Sequence, residues 1–149
     1  MTEIRFYHLE RQTLEAVLPA MLVKGLERQW RAVVQAATDE RAEALANLLW
    51  TAADDSFIPH GTKADGFAAL QPIWLTASGE NPNGATVRFF VDGAGAGNLD
   101  GLDLAVIIFD GNDSDAVSRA REDWQRFKSL GLQISYWQQD EQGRWQNRA

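Results

Sequence analysis

The run Leu-Ala-Val-Ile-Ile-Phe at residues 104–109 constrains the fold more than any other feature of the sequence. A nearly continuous apolar run of this length is typical of a strand that is buried on both faces. Such a strand needs other elements above and below it, and helix and strand patterns alternate along the rest of the chain. Strands are predicted at about 3–8, 31–35, 72–76, 85–91, 104–109 and 133–138, and helices at about 13–29, 38–50 and 113–130. The alternation predicts an α/β fold, with one three-layer domain whose central, mostly parallel sheet carries helices on both faces.

The length of 149 residues agrees with a single domain. The α/β pattern extends over residues 1–138, and a polar C-terminal extension over 139–149 follows it, in which Trp145 is the one large apolar residue. We expect this extension to be loosely held. Residues 51–71 have no clear period and form a long connection, and connections of this length in compact domains are often functional.

The charge of the chain limits the partners that it can bind. The net charge is −7, and the 14 lysines and arginines are scattered along the sequence. Binding to nucleic acid depends on clustered cations that displace counterions from the phosphates, so direct DNA binding is not expected. No signal-peptide pattern is present, and no stretch approaches the roughly 18 apolar residues that cross a bilayer. We therefore expect a cytoplasmic protein that does not associate with membranes.

The glycine-rich segment 92–101 raises the possibility of a nucleotide site. Gly93, Gly95 and Gly97 alternate with alanines, but the dinucleotide fingerprint needs its third glycine where this chain has Asn98. The fingerprint also opens a helix, whereas this segment leads to the predicted strand at 104–109. A flexible connector is the simpler interpretation. A small nucleotide- or ligand-binding α/β enzyme that uses loop 92–101 remains the alternative function.

The sequence contains no pattern typical of a metal site or a catalytic site. The spacing of a calcium loop that begins at Asp110 would require glycine and glutamate where the chain has Asp115 and Arg121. His8 and His60 have no metal-ligand spacing, and the sequence contains no cysteine. We therefore expect no catalytic residue, no metal and no cofactor.

The last predicted helix has two apolar arcs when each residue advances by about 100°. One arc should face the core and contains Ala116, Ala120, Phe127 and Leu130. The neighbouring arc places an aromatic residue and a valine between two cations, without a carboxylate, and contains Val117, Arg121, Trp124, Gln125 and Lys128. An arc of this composition suits a short peptide with apolar and acidic side chains and a terminal carboxylate, because arginine can bind a carboxylate with both of its donors. The alternative is that Trp124 only packs on the sheet.

Several segments together resemble the chi accessory subunit of bacterial DNA polymerase III holoenzyme. The most specific is Ala-Leu at 44–45 through Trp50, followed by Ser-Phe-Ile-Pro-His at 56–60. The segment Trp-Arg-Ala-Val-Val at 30–34 and the helix at 120–128 support the resemblance, which extends over most of the chain.

The resemblance implies a non-catalytic adaptor in DNA replication. Proteins of this family bind the acidic, phenylalanine-ending tail of single-stranded DNA-binding protein, and they bind the psi subunit, which connects them to the clamp loader. The tail site in the family matches Arg121, Trp124 and Lys128 here, while Gln125 falls where a cation is common. The surface for psi or another clamp-loader component matches Trp50 and Phe57, with Pro59 beside them. The alternative is that the two aromatic residues pack in the core.

Overall fold

Seven strands form one sheet in the computed structural model, which describes residues 2–51, 58–97 and 99–149. Along the chain the strands are β1 (Glu3–Leu9), β2 (Ala32–Gln35), β3 (Ile73–Thr76), β4 (Val87–Phe90), β5 (Leu104–Asp110), β6 (Gln133–Gln139) and β7 (Trp145–Asn147). Their order across the sheet is β3-β2-β4-β5-β1-β6-β7. The first six strands are parallel to their neighbours, and β7 pairs antiparallel with β6. The mostly parallel sheet expected from the sequence is therefore confirmed.

Three α-helices cover the two faces of the sheet in the described part of the chain. They are α1 (Leu14–Glu27), α2 (Asp39–Thr51) and α3 (Ser114–Ser129). Helices α1 and α2 pack on one face, against a cluster that includes Val106 and Ile108. Helix α3 packs on the opposite face, against a cluster that includes Ala105 and Ile107. Strand β5 is buried from Leu104 to Phe109 because both of its faces are covered, as its continuous apolar run predicted.

The helix ends follow from local sequence. The Thr13 side chain accepts a hydrogen bond from the backbone N–H of Ala16 at the start of α1, and the Asp113 carboxylate accepts from Asp115 and Ala116 at the start of α3. Pro19 lies inside α1, which the structure describes as one helix. No helix in the described residues is both long and apolar enough to cross a membrane.

Leu130 corrects one prediction about α3. The sequence assigned this residue to the core arc, but the helix ends at Ser129, and Leu130 is the C-cap with 67% of its surface exposed. Gly131 follows with a φ of +75°, which turns the backbone toward β6 before another helical turn can bring Leu130 over the sheet.

The structure of the segment after β6 also differs from the expectation. We expected residues 139–149 to be loosely held, but residues 145–147 form β7 and continue the sheet. The turn before β7 is closed by the backbone N–H of Asp140, which donates to the carbonyl of Arg144 at 2.8 Å. The ring of Trp145 lies edge-on to Tyr7 of β1, with the centroids 4.9 Å apart, on the α1 side of the sheet. This aromatic contact and the strand pairing hold a segment whose own composition is polar.

Candidate functional site

A pocket of about 460 Å³ opens between the outer surface of α3 and the end of β6. Helix α3 contributes one wall, and the side chains of Phe109 from β5 and Tyr136 from β6 form the floor. The lining residues are Phe109, Val117, Ala120, Arg121, Trp124, Gln125, Tyr136 and Ala149. The pocket therefore lies on the α3 face of the sheet, where the strands β5 and β6 flank β1.

Trp124 belongs to both the core and the pocket. Its ring contacts the fully buried ring of Phe6 at a centroid distance of 5.6 Å, and the ring of Tyr136 at 5.9 Å. The side chain is half-buried and lines the pocket on its remaining side. Trp124 therefore packs on the sheet with one side of its ring and leaves the other side available at the pocket.

Arg121 is the cation of the pocket. It is exposed, and it forms no ion pair with any residue that the structure describes. Arg126 on the same helix is held differently, because it contacts Asp123 at 3.1 Å and donates to the carbonyl of Ala96. A guanidinium without an internal carboxylate partner keeps its donors available for an anion from outside.

Tyr136 provides a polar group on the floor of the pocket. Burial raises the pKa of its phenol above the ordinary value, the nearby Arg121 lowers it, and Glu10 raises it again. The hydroxyl therefore stays neutral at pH 7, and it is hydrogen-bonded to Nδ1 of His8. Glu10 lies on the other side of the same imidazole, with Oε1 3.0 Å from Nε2, although Nε2 lacks a partner of hydrogen-bonding geometry.

Four of the five α3 residues that the sequence selected meet around this pocket. They are Val117, Arg121, Trp124 and Gln125. Lys128 is exposed on the same helix but is not among the lining residues. Phe109, Tyr136 and Ala149 were not predicted from the sequence. Ala120 is buried in the core, as predicted, and it also lines the pocket. The sequence provides little indication of Phe109 and Tyr136, because the position of a strand residue beside α3 depends on the order of strands in the sheet.

A second candidate surface lies at the end of α2. The indole of Trp50 is 53% exposed, and its centroid lies 4.5 Å from that of the His60 ring. His60 is buried, and its ring nitrogens contact the carbonyl oxygens of Ile58 at 2.6 Å and Ala46 at 2.9 Å. His60 thereby fastens the segment 58–60 to α2. Pro59 is partly buried beside it, and Phe57 lies outside the described residues.

The glycine-rich loop lines a separate cavity of about 520 Å³ at the carboxyl ends of β1, β4 and β5. Carboxylates are frequent there, and Asp92 at the start of the loop pairs with Arg41 at 2.7 Å. The first N–H groups of α3 that face this end of the sheet are already bonded to Asp113. An anionic group such as a phosphate therefore meets negative charge and occupied donors, which does not favour the nucleotide alternative.

The fold and the pocket together define a class of protein. The chain is a three-layer α/β protein with a surface pocket that combines aromatic rings with an arginine that forms no ion pair among the described residues. Residues 1–135 match the family model described as DNA polymerase III chi subunit, HolC. The chain therefore belongs to the DNA polymerase III chi subunit family.

A curated relative has the same assignment. The chain is 31% identical over 91 residues to a protein of Rickettsia prowazekii (strain Madrid E) named "Probable DNA polymerase III subunit chi". The match includes 61% of this chain and 55% of that protein, so the chain spans about half the length of the relative. The resemblance stated from the sequence segments is confirmed by the family match.

Proposed function

We propose that the protein is a replisome adaptor that binds the acidic tail of single-stranded DNA-binding protein in the α3 pocket and connects it to the clamp loader. The observation that carries the proposal is the meeting of Arg121, Trp124 and Tyr136 around one pocket. This combination contains an apolar surface for a ring, an exposed cation and a neutral hydroxyl.

The chemistry of the tail fits these groups one by one. Its terminal phenylalanine ring packs against Trp124 and Val117, since aromatic pairs are stabilised by edge-on or offset contacts. Its terminal carboxylate accepts hydrogen bonds from Arg121, which is exposed and has no ion-pair partner in the part of the chain that the structure describes. The acidic residues further along the tail are attracted by Arg121 and by Lys128, one helical turn beyond Trp124. Gln125 contributes hydrogen-bonding groups without charge.

The second proposed contact is made by Trp50, with Phe57 and Pro59, to the psi subunit or another clamp-loader component. Trp50 is one of four large apolar residues that are exposed in the described part of the chain, and tryptophan is enriched among residues that dominate binding energy at interfaces. Trp50 lies in the last turn of α2, which packs on one face of the sheet, whereas the α3 pocket lies on the other face. Two partners can therefore bind the chain at the same time.

Isothermal titration calorimetry with the peptide Asp-Asp-Asp-Ile-Pro-Phe tests the tail site. We expect a dissociation constant in the micromolar range for the peptide with a free terminal carboxylate. The matched control is the same peptide with an amidated terminus, which should bind at least about tenfold more weakly because it loses the charged partner of Arg121. Equal affinity for the two peptides contradicts the proposed site. No heat with either peptide, combined with a thermal shift on addition of a nucleotide, favours the enzyme alternative.

A further inference from the structure

The segment 140–149, which we call the arm, reaches the candidate pocket on α3. After β7 the chain continues beside β6, where the backbone N–H of Arg148 donates to the carbonyl of Tyr136 at 2.7 Å. The N–H of Tyr136 in turn donates to the carbonyl of Ala149 at 3.4 Å. These two bonds place Ala149 among the lining residues of the pocket, together with the residues that α3 provides.

Without the arm, β6 would be the edge strand of the sheet. An edge strand exposes unpaired N–H and C=O groups, and an extended peptide can pair with them as an additional strand. The arm occupies this edge from Gln139 to Tyr136. A peptide that reaches Tyr136 therefore finds a closed side and must insert its end between the arm and α3.

We propose that the arm is the second wall of the tail pocket, and that it makes the pocket selective for a single terminal phenylalanine. This proposal rests on the proposed function of the pocket. The wall consists of backbone and of the small side chain of Ala149, so it limits the width of the pocket while it leaves room for one ring. A wall that is already in place before binding also lowers the entropic penalty of ordering the site.

Trp145 is the positioning residue for this wall. Its ring contacts Tyr7 on the α1 side of the sheet, so it does not line the pocket. In the strand pairing, Gln139 lies opposite Trp145 and Trp137 lies opposite Asn147. The position of Trp145 therefore also fixes the position of residues 148 and 149. Replacement of Trp145 therefore moves the wall without altering any group that touches the tail.

The experiment compares four variants for binding of two tail peptides, one that ends in phenylalanine and one that ends in tryptophan. Removal of residues 148 and 149 should weaken binding of the phenylalanine peptide by about fivefold or more, and should reduce the preference for phenylalanine over tryptophan. Trp145→Ala should change affinity and preference in the same direction, and Trp145→Phe should restore both. Arg148→Ala retains the backbone wall and should leave the preference unchanged.

The outcomes separate this proposal from the function on which it rests. If the full chain binds neither peptide, both proposals are overturned. If the full chain binds and Trp124→Ala does not, but removal of residues 148 and 149 leaves affinity and preference unchanged, only the wall is overturned. An equal loss in Arg148→Ala and in the shortened chain would assign the effect to charge and would also overturn the wall. Circular dichroism and thermal melting show whether each variant is folded. If the shortened chain is unfolded, the comparison of Trp145→Ala with Trp145→Phe tests the wall in its place.

Discussion

The indole of Trp124 meets the ring of Phe6 edge-on, with the centroids 5.6 Å apart and the planes at 61°. Phe6 is fully buried in the middle of β1, so this contact anchors an outer residue of α3 to the core of the sheet. The anchored indole has one orientation before any ligand arrives. A pre-oriented aromatic surface loses little conformational entropy on binding, which favours recognition of a terminal aromatic residue.

Substitution of Trp124 tests this double role. We expect Trp124→Ala to weaken binding of the tail peptide by at least about thirtyfold, which corresponds to the 2 kcal/mol that defines an interface hot spot. The free energy of unfolding should fall by about 1–2 kcal/mol, less than for a fully buried aromatic residue. Calorimetry and urea denaturation measure the two effects. Trp124→Phe should recover most of the stability, and binding that survives Trp124→Ala would move the site elsewhere.

Arg121 should contribute to binding and not to folding. Arg121→Ala removes a hydrogen bond to a charged group, so we expect a loss of about 1–3 kcal/mol in the binding free energy of the tail. Stability should change by less than about 0.5 kcal/mol because the side chain is exposed and forms no ion pair with the described residues. Titrations at two salt concentrations should show weaker binding at high salt for the wild type and a smaller salt dependence for the variant.

The same helix offers matched controls for Arg121. Arg119 is an exposed arginine of α3 that lines the other cavity, beside the glycine-rich loop, so Arg119→Ala removes an equal charge away from the pocket. We expect it to bind the tail nearly as well as the wild type. Lys128→Ala should have an intermediate effect, because Lys128 lies outside the pocket lining and acts only through its charge. A loss as large for Arg119→Ala as for Arg121→Ala would show that net charge alone governs binding.

The sequence predicted the fold well because the elements that form it have strong local signals. The buried run at 104–109 and the helical period of α3 both depend on short-range spacing. Strand β7 lacked such a signal, since Trp145 is surrounded by polar residues and the strand contains only three residues. Its stability comes from β6 and from Tyr7, which is distant in sequence. Local sequence patterns do not reveal contacts between residues that are distant in the chain.

The candidate site was predicted in part for a related reason. A helical projection gives the angle of each residue around α3, and that angle grouped four residues that line one pocket in the structure, Val117, Arg121, Trp124 and Gln125. The projection discards position along the axis, so it also included Lys128, which lies one turn beyond Trp124. Tyr136 was missed because its place beside α3 requires β6 to lie next to β1, an order that spacing along the chain does not determine.

Glu80 should make stability depend on pH in acid. Burial of its carboxylate acts to raise the pKa, but hydrogen bonds from Ser78, Thr76 and Trp74 outweigh it and lower the pKa of Glu80 from the ordinary value of 4.5 to about 2. The Thr76 hydroxyl donates at 2.6 Å and the Trp74 indole N–H at 3.3 Å. A lowered pKa stabilises the folded state above pH 4.5, and this contribution is lost as the pH falls toward 2.

The test is Glu80→Gln, which retains the shape and removes the charge. Since the side chain is exposed and solvent screens it, we expect the variant to lose only about 1–2 kcal/mol of stability at pH 7. The difference between the two proteins should shrink between pH 4.5 and pH 2 and should be absent below that. Urea denaturation across this range measures it, and a constant difference at every pH would contradict the assignment to the charged form.

The contact between Trp50 and His60 yields a pair of variants with opposite expectations. Trp50 is 53% exposed, so Trp50→Ala should lower the free energy of unfolding by about 1 kcal/mol or less while it weakens capture of the psi subunit. His60 is buried, and its two ring nitrogens contact backbone carbonyls, so His60→Ala should remove about 2–3 kcal/mol of stability. In a domain of this size that loss lowers the melting temperature by about 4–12 °C. Co-purification with psi at a temperature where both variants are folded measures capture. If Trp50→Ala melts early and still captures psi, Trp50 is a structural residue and the clamp-loader surface lies elsewhere.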